Sequence, residues 1–201
     1  AADHEANVPV EGLPPEPAKL PELWLALVAR FEAVGGPTAD GIFRENADKG
    51  AVDDCERQLF DPSSDVDAAG TVAHDILAPL SDPHLLAGLI SRWLRSRGLA
   101  RIPAEHHAAC VACASKGLPN GSAEAAQEVK QLMGLIEASS SQTAVMLKAV
   151  VELLQRVDPE ATQMTPKNLG VVFGPTLIHR EDPQAFAKHA KDDSVFVELM
   201  M

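Results

Sequence analysis

Three groups of residues in this chain have the types that chemistry asks for. His106, His107, Cys110 and Cys113 fall within about two helical turns, and imidazole with thiolate is a zinc donor set. Zinc sites normally join ligands from two separated segments, however, and His74, His179 and His189 are isolated, so no second Cys/His pair completes a site. Cys110 and Cys113 therefore read as small apolar residues on a helix face, and no metal is expected. The doublets Asp53-Asp54 and Asp192-Asp193 read as negative groups at helix N-termini, where the helix dipole favours them, rather than as acid–base pairs. The third group is Gly41-Ile42-Phe43-Arg44, in which two large apolar residues can anchor a loop and leave a guanidinium at the surface. Taken alone, that arginine is one more surface charge. The chain has no Gly-x-Ser-x-Gly, no cysteine flanked like a protease nucleophile and no phosphate-binding glycine-rich loop, so an enzyme with its own substrate pocket is not supported.

The elements that must position these groups are helical. Leu23, Trp24, Leu27, Val28 and Phe31 recur at helical spacing after Pro21, and Gly35-Gly36-Pro37 ends the run. Val52, Cys55 and Leu59 mark a shorter helix, and residues 61–66 read as a polar loop. Asp82-Pro83 is a cap followed by proline in the first turn; it opens a helix with Leu86, Leu89, Ile90, Trp93 and Leu94 on one stripe, stopped at Gly98. Pro103 opens a helix to about Ser115, and another spans about 124–136 with Val129, Leu132, Met133 and Ile136 inward. Residues 139–141 supply cap candidates for what the spacing predicts as the longest helix, with positions 143, 146, 147, 150, 151, 154 and 157 inward. Thr165-Pro166 caps a short helix running into Phe173-Gly174-Pro175, and residues 192–201 read as a final helix. No window alternates like a strand and no repeat is present, so the expected class is all-α, a single globular helical domain over residues 20–201. Five prolines within residues 8–21 forbid regular helix there, which makes residues 1–19 a proline-rich lead-in.

Composition sets the remaining bounds. Hydrophobic residues make up 46% and aromatics only 4%, so a core of Leu, Val, Ala and Ile is expected, as suits packed helices. A formal charge of -12 argues against nucleic acid or an anionic membrane as partner. No apolar run is long enough to span a bilayer, so direct membrane insertion is not expected. An odd, low cysteine count without a secretory leader points to a reducing, cytoplasmic setting.

Three distant segments together resemble the Rho GTPase-activating (RhoGAP) domain. Asp40-Gly41-Ile42-Phe43-Arg44, followed by Val52 and Cys55, is similar to the family's Glu-Gly-Ile-Phe-Arg segment. Asp82-Pro83-His84 through Trp93-Leu94-Arg95 to Ile102-Pro103 is similar to its Leu-Lys-Leu-Trp-Leu-Arg helix. The run from Met164-Thr165-Pro166-Lys167-Asn168-Leu169 through Phe173-Gly174-Pro175-Thr176-Leu177 matches its Met-Thr-x-x-Asn-Leu-Ala-x-x-Phe-Gly-Pro-x-Leu almost throughout. Asp82-Pro83-His84 and Asp182-Pro183 look most like the Vilse or crossGAP type.

The resemblance implies an activator rather than an enzyme: Arg44 would enter a Rho-family small GTPase, in its GTP-bound form, as an arginine finger in trans. GTP and Mg would belong to the partner, and no cofactor to this chain. Asn168 matches the asparagine that hydrogen-bonds the GTPase near the nucleotide, and Arg95 the arginine that supports the finger loop. The family's GTPase-binding lysine falls at Ser91, with Arg92, about 100° further round the helix, as the candidate substitute. Ser96, Gly98, Leu99 and Ala100 replace most of a Glu-Leu-Pro-Glu-Pro stretch, and Ala47 replaces a glycine after the finger. The lost lysine implies a weaker grip on the GTPase and keeps a second reading in view, a GAP-like binding or scaffold module that docks without stimulating hydrolysis.

Overall fold

Short polar side chains set where most of the described helices begin. Asp82, Asp158 and Asp182 each accept the N–H two residues on (2.9, 2.8 and 2.9 Å) and are each followed by proline. The carboxylate satisfies an N–H that the helix cannot, and the proline carries no N–H to satisfy. Thr165, before Pro166, serves the Asn168 N–H (3.3 Å), and Ser122 and Ser140 cap two more helices through their hydroxyls. The Asp82-Pro83 and Asp182-Pro183 pairs are thus accounted for as helix starts.

The computed structural model describes residues 20–59 and 75–201, among which every regular element is a helix. The proline-rich lead-in and the 61–66 loop lie outside the described residues. In chain order the helices are α1 (Glu22–Ala33), α2 (Lys49–Leu59), α3 (Pro83–Arg97), α4 (His107–Ser115), α5 (Ala123–Ser139), α6 (Ser141–Gln155), a one-turn α7 (Pro159–Thr162), α8 (Pro166–Leu177) and α9 (Pro183–Met200). Single 3-10 turns lie at Gly36–Thr38 and Ala104–His106. As expected, Gly98 ends α3, in the left-handed conformation.

α3 is a central strut. Leu86, Leu89, Ile90, Trp93 and Leu94 are buried, and Trp93 meets Trp24 of α1 at 5.5 Å between ring centroids. Each such side chain contributes roughly 1.5–3 kcal/mol on burial. α8 and α9 are the most closely apposed pair. A Cβ at Gly170 would overlap the Ser194 carbonyl of α9, and one at Gly174 would lie 3.2 Å from the Ser194 nitrogen, so the two backbones approach only because these positions are glycine. The segment after α3 joins the same layer, with the Ile102 N–H donating to the Leu177 carbonyl (2.8 Å).

The ends of some elements differ from the sequence expectation. α9 begins at Pro183, ten residues before Asp193, and at 18 residues it exceeds the 15 of α6, which the apolar spacing had made the longest. The first half of α9 is largely solvent-facing, so apolar periodicity could not reveal it; the Asp182 cap was the available signal. The doublets are therefore not N-terminal groups. Asp53 and Asp54 lie inside α2, and Asp193 is buried inside α9 at 1% exposure. Asp193 accepts both Nε and Nη2 of Arg180, at 2.8 and 2.6 Å, a bidentate pair that desolvation makes obligatory. α8 also runs past Pro175 to Leu177, because proline in a last turn forfeits only one helical hydrogen bond.

Asp193→Ala is expected to lower unfolding free energy by about 3–5 kcal/mol, because it leaves the Arg180 guanidinium buried and unpaired. Denaturant titration checks this, and replacing both partners by apolar residues of similar volume should recover much of the loss.

Candidate functional site

The loop between α1 and α2 is built to turn Arg44 outward. Gly41 sits at φ +68, and a Cβ there would lie 2.7 Å from the Glu45 carboxylate, so this position admits only glycine without strain. The Gly41 carbonyl accepts from both the Arg44 and Glu45 N–H groups, each at 2.9 Å, which closes a tight turn. Ile42 is fully buried beneath it. Phe43 adopts φ +61, a conformation that costs a non-glycine residue about 1–3 kcal/mol. Its ring is held between Phe31 (5.6 Å) and the edge of Phe173 (5.1 Å). With Ile42 and Phe43 directed inward, Arg44 emerges with its side chain 45% exposed. Its Nη2 lies 3.8 Å from Asp40 and 3.7 Å from Glu45, loose exposed pairs that are worth about 1 kcal/mol or less.

The turn between α7 and α8 joins this loop to Asn168. The Thr162 carbonyl accepts the Gly41 N–H (3.1 Å), and the next carbonyl, that of Gln163, accepts the Asn168 Nδ2 (3.3 Å). Gln163 is itself at φ +59, which is how adjacent carbonyls come to serve different segments. Asn168 is exposed on the first turn of α8. Among the described residues its side-chain oxygen accepts no hydrogen bond, so it faces solvent with an open acceptor. Arg44 and Asn168, 124 positions apart in sequence, are thereby set on one framework.

α3 supplies the other flank. Ser91 is half-buried and Arg95 exposed. Arg92, expected to stand free as a substitute cation, is instead tied to α2: its Nη1 donates to Asp53 (2.9 Å) and Glu56 (2.5 Å). These bonds hold its guanidinium charged even more firmly than usual, the Asp53 hydrogen bond being the largest cause. The rotation that separates Arg92 from Ser91 on the helix is what aims it at α2. Between the loop that carries Arg44, α2 and α3 lies a groove of about 300 Å³ lined by Asn46, Ala47, Lys49, Val52, Gly88, Arg92 and Arg95. Two residues here escaped the sequence reading. Lys49 lies in the groove without a motif to mark it, and Val171 is an apolar residue 59% exposed, three positions after Asn168 on the same face of α8.

The cysteine–histidine cluster lies elsewhere. Cys110 and Cys113 are buried, and burial, with Asp193 adding to it, pushes the Cys110 thiol up to about 12. His106 shares a hydrogen bond with Ser139 Oγ and His107 with the Ile102 carbonyl, both at 3.0 Å.

Residues 23–182 match the RhoGAP domain family. The chain is 26% identical over 183 residues to Rho GTPase-activating protein 3 of Arabidopsis thaliana, an alignment covering 90% of this chain and 35% of that protein, so the chain spans about a third of its relative. Among solved structures, the BH domain from GRAF, the GTPase regulator associated with focal adhesion kinase, superposes with a TM-score of 0.63 at 20% identity, covering 88% of this chain and 90% of that one. Human Rho GTPase activating protein 15 superposes with a TM-score of 0.63 at 18% identity, covering 87% and 79%. These two likenesses establish the helical fold.

The aromatic wedge gives the site its first test. Phe43→Ala should destabilise the domain by about 2–3 kcal/mol, somewhat below a fully buried phenylalanine. Hydrogen exchange should quicken at the Arg44 and Glu45 amides well before the helices respond, since their shared acceptor loses its anchor. Unchanged exchange at those two amides would mean the turn holds itself without the wedge.

Proposed function

We propose that this chain, which belongs to the RhoGAP domain family, speeds GTP hydrolysis by a Rho-family small GTPase in its GTP-bound form. It acts in trans by placing Arg44 in the partner's active site. GTP and Mg belong to the partner, and this chain catalyses no reaction of its own. The observation that carries the reading is the linked geometry of Arg44 and Asn168: an outward guanidinium on a loop pinned, through adjacent carbonyls, to an asparagine with an open acceptor.

Hydrolysis spreads negative charge over the oxygens of the transferring phosphoryl group, and a cation positioned in advance stabilises that charge without reorganisation. A finger arginine is worth roughly 10³–10⁵ in rate, or about 4–7 kcal/mol of barrier. Arg44 leaves little behind when it enters, since Asp40 and Glu45 hold it only loosely in water. Asn168 Oδ1 can accept from the GTPase while Nδ2 stays on Gln163, so its orientation is set before the partner arrives. Val171 on the same face offers an apolar contact beside these polar ones. Arg95 stands exposed at the rim of the groove as a further contact.

A second reading, docking without stimulation, draws on Ser91 and on the engagement of Arg92 with α2, which leave α3 with fewer free cations than the family pattern implies. One assay separates the two. In single-turnover hydrolysis over a panel of Rho and Rac GTPases, Arg44→Ala should remove most of the stimulated rate, about 10³-fold or more, while binding to the GTP-bound partner persists. A domain that binds but whose stimulation is absent, or insensitive to Arg44→Ala, would establish the docking reading instead. Asn168→Ala should weaken binding by about 1–3 kcal/mol with little change in melting temperature, as befits a surface amide facing a partner. A fall in melting temperature with unchanged binding would assign Asn168 to holding the Gln163 turn.

A further inference from the structure

Lys49 has no counterpart among the motif residues, yet its setting is unusual. It is the first residue of α2, directly after Asp48, whose carboxylate accepts the Ala51 N–H at 2.7 Å. The first turn of a helix is where a cation is least favoured, because the unsatisfied N–H groups and the aligned peptide dipoles are positive there. A lysine in this place works against the stability of α2. Nor is it neutralised locally. Asp48 directs its carboxylate to the Ala51 N–H, Glu45, one turn back, folds over Gly41 towards Arg44, and neither makes an ion pair with Lys49. Among the described residues Lys49 forms no ion pair, and it is exposed. It lines the same groove as Arg95 and the residues Asn46 and Ala47 that follow the finger. On a chain with a net charge of -12, this rim is a local exception.

Resting on the reading of the site as a GTPase-activating surface, we propose that Lys49 is the cation that meets an acidic side chain of the GTPase, taking over from α2 the charge that Ser91 does not supply from α3. Arg92 is tied to α2 by its bonds to Asp53 and Glu56, whereas Lys49 of α2 and Arg95 of α3 line the same groove without such bonds among the described residues. The flexible four-carbon stem lets the ammonium follow an acidic group whose position the groove does not fix.

The test compares binding, hydrolysis and stability in the same variants. The probe is a Rho or Rac GTPase loaded with a non-hydrolysable GTP analogue, titrated at low and high salt; single-turnover hydrolysis runs in parallel. Lys49→Glu should raise Kd roughly tenfold or more at low salt, with the difference shrinking towards high salt. The hydrolysis rate at saturating activator should stay within about twofold of wild type, since Arg44 is untouched. Melting temperature should hold or rise, because glutamate suits the helix start better than lysine. Lys49→Arg should keep the affinity, and Ser91→Lys in a Lys49→Ala background should restore much of it. If Lys49→Glu leaves Kd unchanged while Arg44→Ala still abolishes stimulation, the inference fails and the function stands. If Lys49→Glu lowers the melting temperature along with the affinity, the residue is structural and the inference fails. If the wild-type domain neither binds nor stimulates any GTPase of the panel, the function and the inference fall together.

Discussion

Phe43 occupies a backbone conformation that an unsupported phenylalanine avoids, and the arrangement of the site follows from what keeps it there. Its ring lies between Phe31 of α1 and Phe173 of α8, so two helices far apart in sequence share one residue of a surface loop. Were φ to relax to a negative value, the direction of the next residue would change and Arg44 would no longer leave the turn on the outer side. The strain is of the order of 1–3 kcal/mol, comparable to what two aromatic contacts and a buried neighbour, Ile42, return. The loop is thus held by its apolar residues, and Arg44 is left with only loose ion pairs to Asp40 and Glu45.

That wedge works only if α8 is itself fixed, and α8 is fixed from behind. Gly170 and Gly174 let α9 approach to backbone contact, and Asp193 of α9 holds Arg180 just beyond the end of α8. The face of α8 away from α9 is the one that carries Asn168 and Val171. One face of the helix is therefore spent on close packing, and the other is presented with little freedom to move. Such a division suits the proposed role, in which an arginine and an asparagine arrive in register on a partner, because a misplacement of about 1 Å can cost about 10²-fold in rate.

Much of this was legible before any coordinates. The Asp82-Pro83 and Thr165-Pro166 starts, the Gly98 stop and the apolar stripe of α3 each follow from the local physics of a few residues, and they appear where the sequence puts them. The pairing of Arg44 with Asn168 was legible only through resemblance, since nothing in either segment alone says that the Gly41 N–H meets the Thr162 carbonyl. The start of α9 was missed because its first turns face water and carry no apolar period. The engagement of Arg92 with α2 was not foreseen for a different reason. Helical spacing gives the direction in which a side chain leaves its own axis but not what stands there, and here α2 stands there with Asp53 and Glu56. The positive φ of Phe43 left no trace in the sequence, because the residue that shows it is not glycine.

The position of Arg92 explains a further feature of the charge distribution. α2 turns two carboxylates, Asp53 and Glu56, towards α3, and these like charges, one turn apart on the same helix, repel each other unless a cation stands between them. Arg92 is 30% exposed and bridges both, so its charge is already balanced twice over when a partner arrives. A bridged guanidinium could turn to a third carboxylate only by uncovering one of the first two, and the partner would gain little from it. Positive charge available to a partner must therefore come from side chains that α2 and α3 do not need for each other. On this flank those are Lys49 and Arg95, at the rim of the groove rather than across the helix contact. An acidic chain can keep a cationic edge in this way, provided the charges that join its helices and the charges left at its surface are carried by different residues.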